Sequence, residues 1–300
     1  MPSTMPGAVA ERPAEPELFA RLVDDAAVFP PGSSPLDQAV SGHRTHRSSW
    51  YAGLLGPLLV PASIAGEVPA LAESSGYSPE APLEVAVVAR PGVDPGVVGE
   101  ALESVAHART LNIVAVEMGW TPEWRVSRPP DVPLTLEVPR GPHHALSLAD
   151  IAADSSDEVP LQAKFRTGAT PTWHWPDERE LAGFIRSAVD HELAFKLTGG
   201  LHHAVRGTYP GDPADLSSAP EEQHGVLNVL CAVRWALNGD EVGELASVLS
   251  ERDPAVLVPM VTRMSSADAS IVRAFFTAYG CCTVTDPIGE LAALNLIQEP

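Results

Sequence analysis

Residues 160–201 read PLQAKFRTGATPTWHWPDERELAGFIRSAVDHELAFKLTGGL, and this stretch decides the fold. Its two ends are short apolar runs, 160–166 and 193–197, and each runs into a turn that contains glycine. Between them Leu181, Phe184, Ile185 and Val189 recur at the spacing that gathers apolar side chains on one face of a helix. The order is strand, helix, strand, with a crossover long enough to join parallel neighbours.

The same punctuation extends in both directions. Short apolar runs at 21–29, 54–61, 83–90, 112–118 and 133–138 precede this unit, and GVLNVLC at 225–231 follows it, which makes eight candidate strands. Helical patterns at 97–109, 145–153 and 176–191 fall between them. Eight strand–helix units predict an α/β chain folded as a (β/α)8 TIM-like barrel, an architecture that takes ~250 residues. An open doubly wound sheet is the alternative, but no G-x-G-x-x-G opens the first unit to favour dinucleotide binding. The expected organisation is a disordered tail at 1–16, rich in Pro, Ala and Glu, a barrel at 17–235, and a C-terminal helical extension at 236–300. That extension packs on the barrel or contributes to a homo-oligomer interface. The long polar loop at 209–220 is a candidate lid or a plain insertion.

Charge excludes some partners. With 39 acidic and 19 basic residues the formal net charge is −20, which repels nucleic acid and anionic lipid. No apolar run reaches the roughly 18 residues of a membrane span, and the first residues lack the pattern of a secretory signal. Three cysteines, Cys231, Cys281 and Cys282, form no disulfide framework, so a reducing cytoplasm is expected.

The cations are the most informative residues. Of the 19, 17 are Arg and only Lys164 and Lys196 are Lys. An amine can shed its proton and attack a carbonyl, which a guanidinium cannot do in practice. Both lysines end a strand of the deciding stretch, where a barrel builds its active site. Side chains two apart share a strand face, so Lys164 and Arg166 face the same way, as do Lys196 and Thr198. Glu117 and Glu137 end two earlier apolar runs, and Asn228 lies in the last. Buried charges must be paired or used. The cluster is therefore either a catalytic site or a salt-bridge layer inside the barrel.

The turns sharpen this reading. Lys164-Phe165-Arg166-Thr167-Gly168 and Lys196-Leu197-Thr198-Gly199-Gly200 lie 32 residues apart on successive strands. Glycine turns of this kind present backbone N–H groups to an anion. The region around these two segments resembles the paired-lysine region of deoxyribose-phosphate aldolases, class I Schiff-base barrels. The resemblance implies that Lys164 forms the imine, that Lys196 tunes it by like-charge repulsion, and that the Gly199–Gly200 turn holds an oxyanion. It departs from the family at Arg166, where a small residue is usual, at Leu201-His202-His203 after the glycine pair, and in having only Glu117 as a loose counterpart of the family's acid. The whole chain also resembles a group of actinobacterial proteins, from which no activity follows.

The expected function is an aldolase-like lyase acting on a small anionic carbonyl compound without a cofactor. Lys164, Lys196, Glu117, Glu137 and His202 are the candidate catalytic residues. Arg166, Thr167, Gly168, Thr198, Gly199, Gly200, His203, His224, Asn228 and Asp25 are the candidate substrate contacts. A rival chemistry is a metal-dependent hydrolase or isomerase in which His202 and His224 join Glu117 and Glu137 around Zn²⁺ or another divalent ion. A barrel that only binds a small anion is the third reading.

Overall fold

The computed structural model describes residues 15–94, 96–156, 160–170, 173–210 and 219–298. The element order is α1 (Glu15–Phe19), β1 (Val23–Asp25), α2 (Leu36–Arg47), β2 (Leu55–Pro61), α3 (Val68–Ser74), β3 (Leu83–Ala89), α4 (Gly96–Val105), β4 (Leu111–Gly119), β5 (Leu134–Glu137), α5 (His144–Asp154), β6 (Leu161–Arg166), α6 (Glu178–Asp190), β7 (Phe195–Thr198), β8 (Gly207–Tyr209), β9 (Glu221–Gln223), α7 (Val226–Leu237), α8 (Val242–Leu249), α9 (Pro254–Thr262), α10 (Ser266–Phe275), β10 (Phe276–Cys281) and α11 (Thr285–Ala293). Eight strands close a parallel barrel in the order β1-β10-β7-β6-β5-β4-β3-β2, and β8 and β9 form a separate antiparallel pair. All eight junctions of the barrel are parallel, so the chain is the expected α/β TIM-like barrel.

Two expectations need correction. The run at 225–231 is the first half of α7, and the eighth barrel strand is β10, which lies within the segment read as a helical extension. Helices α8 to α11 supply the helical content expected there, but the barrel closes only after α10. The cause is physical. A helix buried on all sides carries the same unbroken apolar run as a buried strand, and nine residues of α7 are buried. The first 14 residues of the expected tail lie outside the described residues, and Glu15 and Pro16 open α1. The candidate lid at 209–220 falls largely outside them as well.

The main core lies between the outer strand faces and the helices. On β6, Phe165 points outward and stacks on Phe184 of α6 at 4.7 Å, and Phe184 meets Phe195 of β7 edge-on at 5.1 Å. Asp177 caps α6 by accepting from the Glu180 N–H at 2.8 Å. Inside the barrel the lining divides in two. Ala26, Leu59, Ala86 and Val88, with Phe29 and Ala115 against them, form a small separate apolar cluster. The other half holds the buried charges Asp24, Glu117, Glu137, Lys164 and Lys196. Among the described residues no helix is long and apolar enough to cross a membrane.

Candidate active site

Strand register assembles the charges. Glu137 on β5 pairs with Lys164 on β6, and Lys164 pairs with Lys196 on β7. Arg166, Thr198, Gly280 and Asp24 form the next row across β6, β7, β10 and β1. Alternation along each strand turns these side chains inward together and sends Phe165, Leu197 and Tyr279 into the outer core.

Glu117 of β4 is the hub. Its Oε2 accepts from Lys164 Nζ at 3.0 Å, and its Oε1 accepts from Lys196 Nζ. Lys164 also pairs with Glu137 Oε2 at 2.9 Å, and Glu137 Oε1 accepts from Arg166 Nε at 3.0 Å. Lys196 completes its contacts on Asp24 Oδ2. All four of Glu117, Glu137, Lys164 and Lys196 are buried. Burial alone would raise the Glu117 carboxyl, but the Lys196 and Lys164 ammonium groups outweigh it and bring it down to about 2. Glu137 is lowered in the same way, burial being overcome by Lys164 and Arg166. Burial opposes the charge on Lys196, yet Asp24 and Glu117 raise it above the ordinary amine range. Asp24 goes the other way: burial raises its carboxyl, and the single ammonium it shares with Glu117 does not compensate.

Thus Glu117 is held toward its ionised form and Lys196 toward its protonated form, while Asp24 is pushed toward its neutral form. Gly56 makes room for it. A Cβ at Gly56 would stand 1.9 Å from Asp24 Oδ1.

A small cavity opens above the cluster at the C-terminal mouth of the barrel. Lys164 and Glu117 reach it from the charged half of the lumen, with Arg166, Thr198, Gly199, Gly200 and His202 around them. Ala26, Phe29, Leu59 and Val88 supply the apolar wall opposite. Gly199 and Gly200 adopt left-handed conformations with φ of 71° and 75°, which favour glycine. Gly168 packs on this turn so closely that a Cβ there would lie 3.0 Å from the Gly199 carbonyl carbon. Thr167 ties the two turns together by donating from Oγ1 to the Gly199 carbonyl at 2.5 Å. Thr167 and Gly168 therefore shape the turn and do not line the cavity.

His202 lines the cavity, with its Nδ1 3.5 Å from Cys281 Sγ and its Nε2 3.7 Å from Cys282 Sγ. Burial, with His203 adjoining, lowers its pKa to about 4, so the ring is neutral at pH 7. Burial also raises both thiols, so this contact is between neutral groups and no thiolate is prepared.

Four expected contacts are corrected. Asp25 turns away from the lumen, accepts from the Ala27 N–H at 3.1 Å and meets His43 Nδ1 of α2 at 3.0 Å, because it is one residue out of phase with Asp24. His203 pairs with Glu290 of α11 at 2.7 Å and stacks on Tyr209. His224 is fully buried and donates from Nε2 to the Pro176 carbonyl at 2.9 Å. Asn228, on α7, accepts from the Arg206 N–H at 2.9 Å and donates to the carbonyls of Val248 and Glu251. With His224 placed there and both glutamates holding cations, the His202–His224–glutamate metal set does not assemble. No group of three metal-binding side chains does among the described residues.

The sequence reading missed Arg90, Phe29, Gly280 and Cys282, all on the cavity wall. Arg90 was legible, since it ends the run LEVAVVAR by the same positional rule that picked out Glu117. Gly280 and Cys282 were hidden by the misplaced eighth strand. No protein-family model, curated protein or solved structure matches the chain, so the geometry of this site carries the functional reading.

Proposed function

We propose that the chain is an aldolase-like lyase that acts on a small anionic carbonyl compound, with Lys164 as its nucleophile. The observation that carries this reading is a buried amine at the floor of the mouth cavity, beside a second amine that stays protonated. In its neutral form Lys164 attacks the carbonyl carbon and forms a C–N bond. Two protons pass to the carbonyl oxygen, which leaves as water. The iminium then accepts the electron pair of a neighbouring C–H or C–C bond, and the released proton or electrophilic carbonyl fragment departs. The resulting enamine takes up a proton or a new carbonyl fragment at carbon, and water then hydrolyses the iminium, which releases the carbonyl product and restores the amine.

Asp24 is the proton carrier in this scheme, joined to Lys164 by a relay in which Lys196 passes a proton to Glu117 and regains one, so that both end as they began. Glu137 holds Lys164 and Arg166 in place rather than moving protons. A reducing cytoplasm suits three unpaired cysteines.

The test is reductive trapping. The protein is incubated with small aldehydes and ketones plus borohydride, and the adduct is mapped by mass. One adduct on Lys164, absent from Lys164→Arg, supports the imine. Turnover by Lys164→Arg excludes it.

A further inference from the structure

The cavity carries two arginines, and they differ in their surroundings. Arg166 is balanced by Glu137 on two hydrogen bonds, at 3.0 and 3.4 Å. Arg90, just after β3, has its guanidinium 4.9 Å from the centre of the Phe29 ring, and that guanidinium forms no hydrogen bond or ion pair with a described residue. Burial and the nearby Arg166 disfavour its charge more than Glu137, which already pairs with Lys164 and Arg166, favours it. A cation facing another cation over a cavity, with no carboxylate of its own, is a place for an anion from outside the chain.

The position of that anion relative to the amine selects its class. Lys164 Nζ and Arg166 Nη2 both contact Glu137 Oε2, at 2.9 and 3.4 Å, so they stand no more than about 6 Å apart. A carboxylate bonded directly to the carbonyl carbon has its oxygens about 3 Å from the imine nitrogen and hydrogen-bonds a guanidinium about 3 Å further on. The two steps span this gap. A phosphate carried on a hydroxymethyl arm lies several bonds further from the imine and overshoots it. We propose that the site takes 2-oxo acids, with the carboxylate held between Arg90 and Arg166, the 2-carbonyl at Lys164, and the remaining carbon chain against Phe29, Leu59 and Val88.

The inference rests on the mouth cavity and, for its covalent step, on the imine reading of Lys164. Its test separates the two. Pyruvate, acetone and dihydroxyacetone phosphate are offered at equal concentration with borohydride, and calorimetry follows pyruvate and lactate binding without reductant. Pyruvate is expected to be trapped at least tenfold more efficiently than the other two. Arg90→Met should weaken pyruvate and lactate binding at least tenfold and leave acetone trapping unchanged. Arg90 loses only its contact with the Phe29 ring and no ion pair with a described residue, so the variant should fold as the parent does, checked by its Tm. If acetone or dihydroxyacetone phosphate is trapped as well as pyruvate, the 2-oxo acid assignment is wrong and the imine stands. If nothing is trapped but pyruvate and lactate bind in an Arg90-dependent way, the imine falls and the 2-oxo acid site stands. Absence of pyruvate binding by either measure, or binding indifferent to Arg90→Met, overturns the assignment.

Discussion

Lys164 and Lys196 are register partners on adjacent barrel strands, and their two amines share the carboxylate of Glu117. Bringing two amines into a buried lumen is expensive unless each is matched, and here Glu137 completes one and Asp24 the other. The arrangement gives three carboxylates unequal environments. Two are driven down and one is driven up, the separation by which a site assigns holding and proton-transfer roles.

Replacing the hub should damage folding. Glu117→Gln leaves both amines short of an anion in the interior and should cost about 3–5 kcal/mol. Chemical denaturation measures it. A loss below about 1 kcal/mol would mean that the lysines find other partners.

Acid should unfold the protein in two windows. The folded pKa values of His202 and His224 are depressed to about 4 from 6.5, so their contribution is full above 6.5 and is lost as pH falls toward 4. Glu117 is depressed from 4.5 to about 2, so its contribution is full above 4.5 and is lost toward pH 2, on the order of 3 kcal/mol. Denaturation midpoints between pH 8 and 3 should fall in both windows for the parent. Glu117→Gln should keep the upper decline and make the lower one shallower, leaving the part that Glu137 contributes, and equal slopes below pH 4.5 would contradict the assignment.

Asp24 and Gly56 should behave as a pair. Asp24→Asn retains the shape but cannot carry the proton, so turnover should fall by about 10²-fold or more while the fold survives. Gly56→Ala drives a methyl into Asp24 Oδ1 and should reproduce the kinetic loss, with about 1–3 kcal/mol of destabilisation. The double variant should then be little worse in turnover than Asp24→Asn, and additive losses would separate the two residues.

Asn228 should prove structural. Asn228→Ala removes one acceptor and two donor bonds from a fully buried position and should cost about 2–4 kcal/mol. Adduct formation on Lys164 should persist in the folded fraction. Selective loss of trapping at unchanged Tm would restore Asn228 to the site.

Much of this site was legible before the fold was known. The rule that strand ends line a barrel mouth, applied to apolar runs closed by a charge, located Glu117, Glu137, Lys164 and Lys196. It failed where phase mattered. Asp24 and Asp25 are adjacent and chemically identical, and only the register of β1 against β10 and β2 decides which one faces the lumen. It failed again for His203 and His224, whose partners Glu290 and Pro176 are distant in sequence.

The sequence by itself determined the alternation of strands and helices, and with it the barrel. It also determined which strand ends carry charge, because burial periodicity and the cost of an unpaired charge act locally along the chain. The tertiary structure decided which strand closes the barrel. The run 225–231 and the segment 276–281 are both largely apolar, and only the space beside β1 and β7 selects one of them as a strand. It also decided which carboxylate meets which amine. Ion pairing depends on distances of a few ångströms between residues up to 172 positions apart, and those are set by packing of the whole chain.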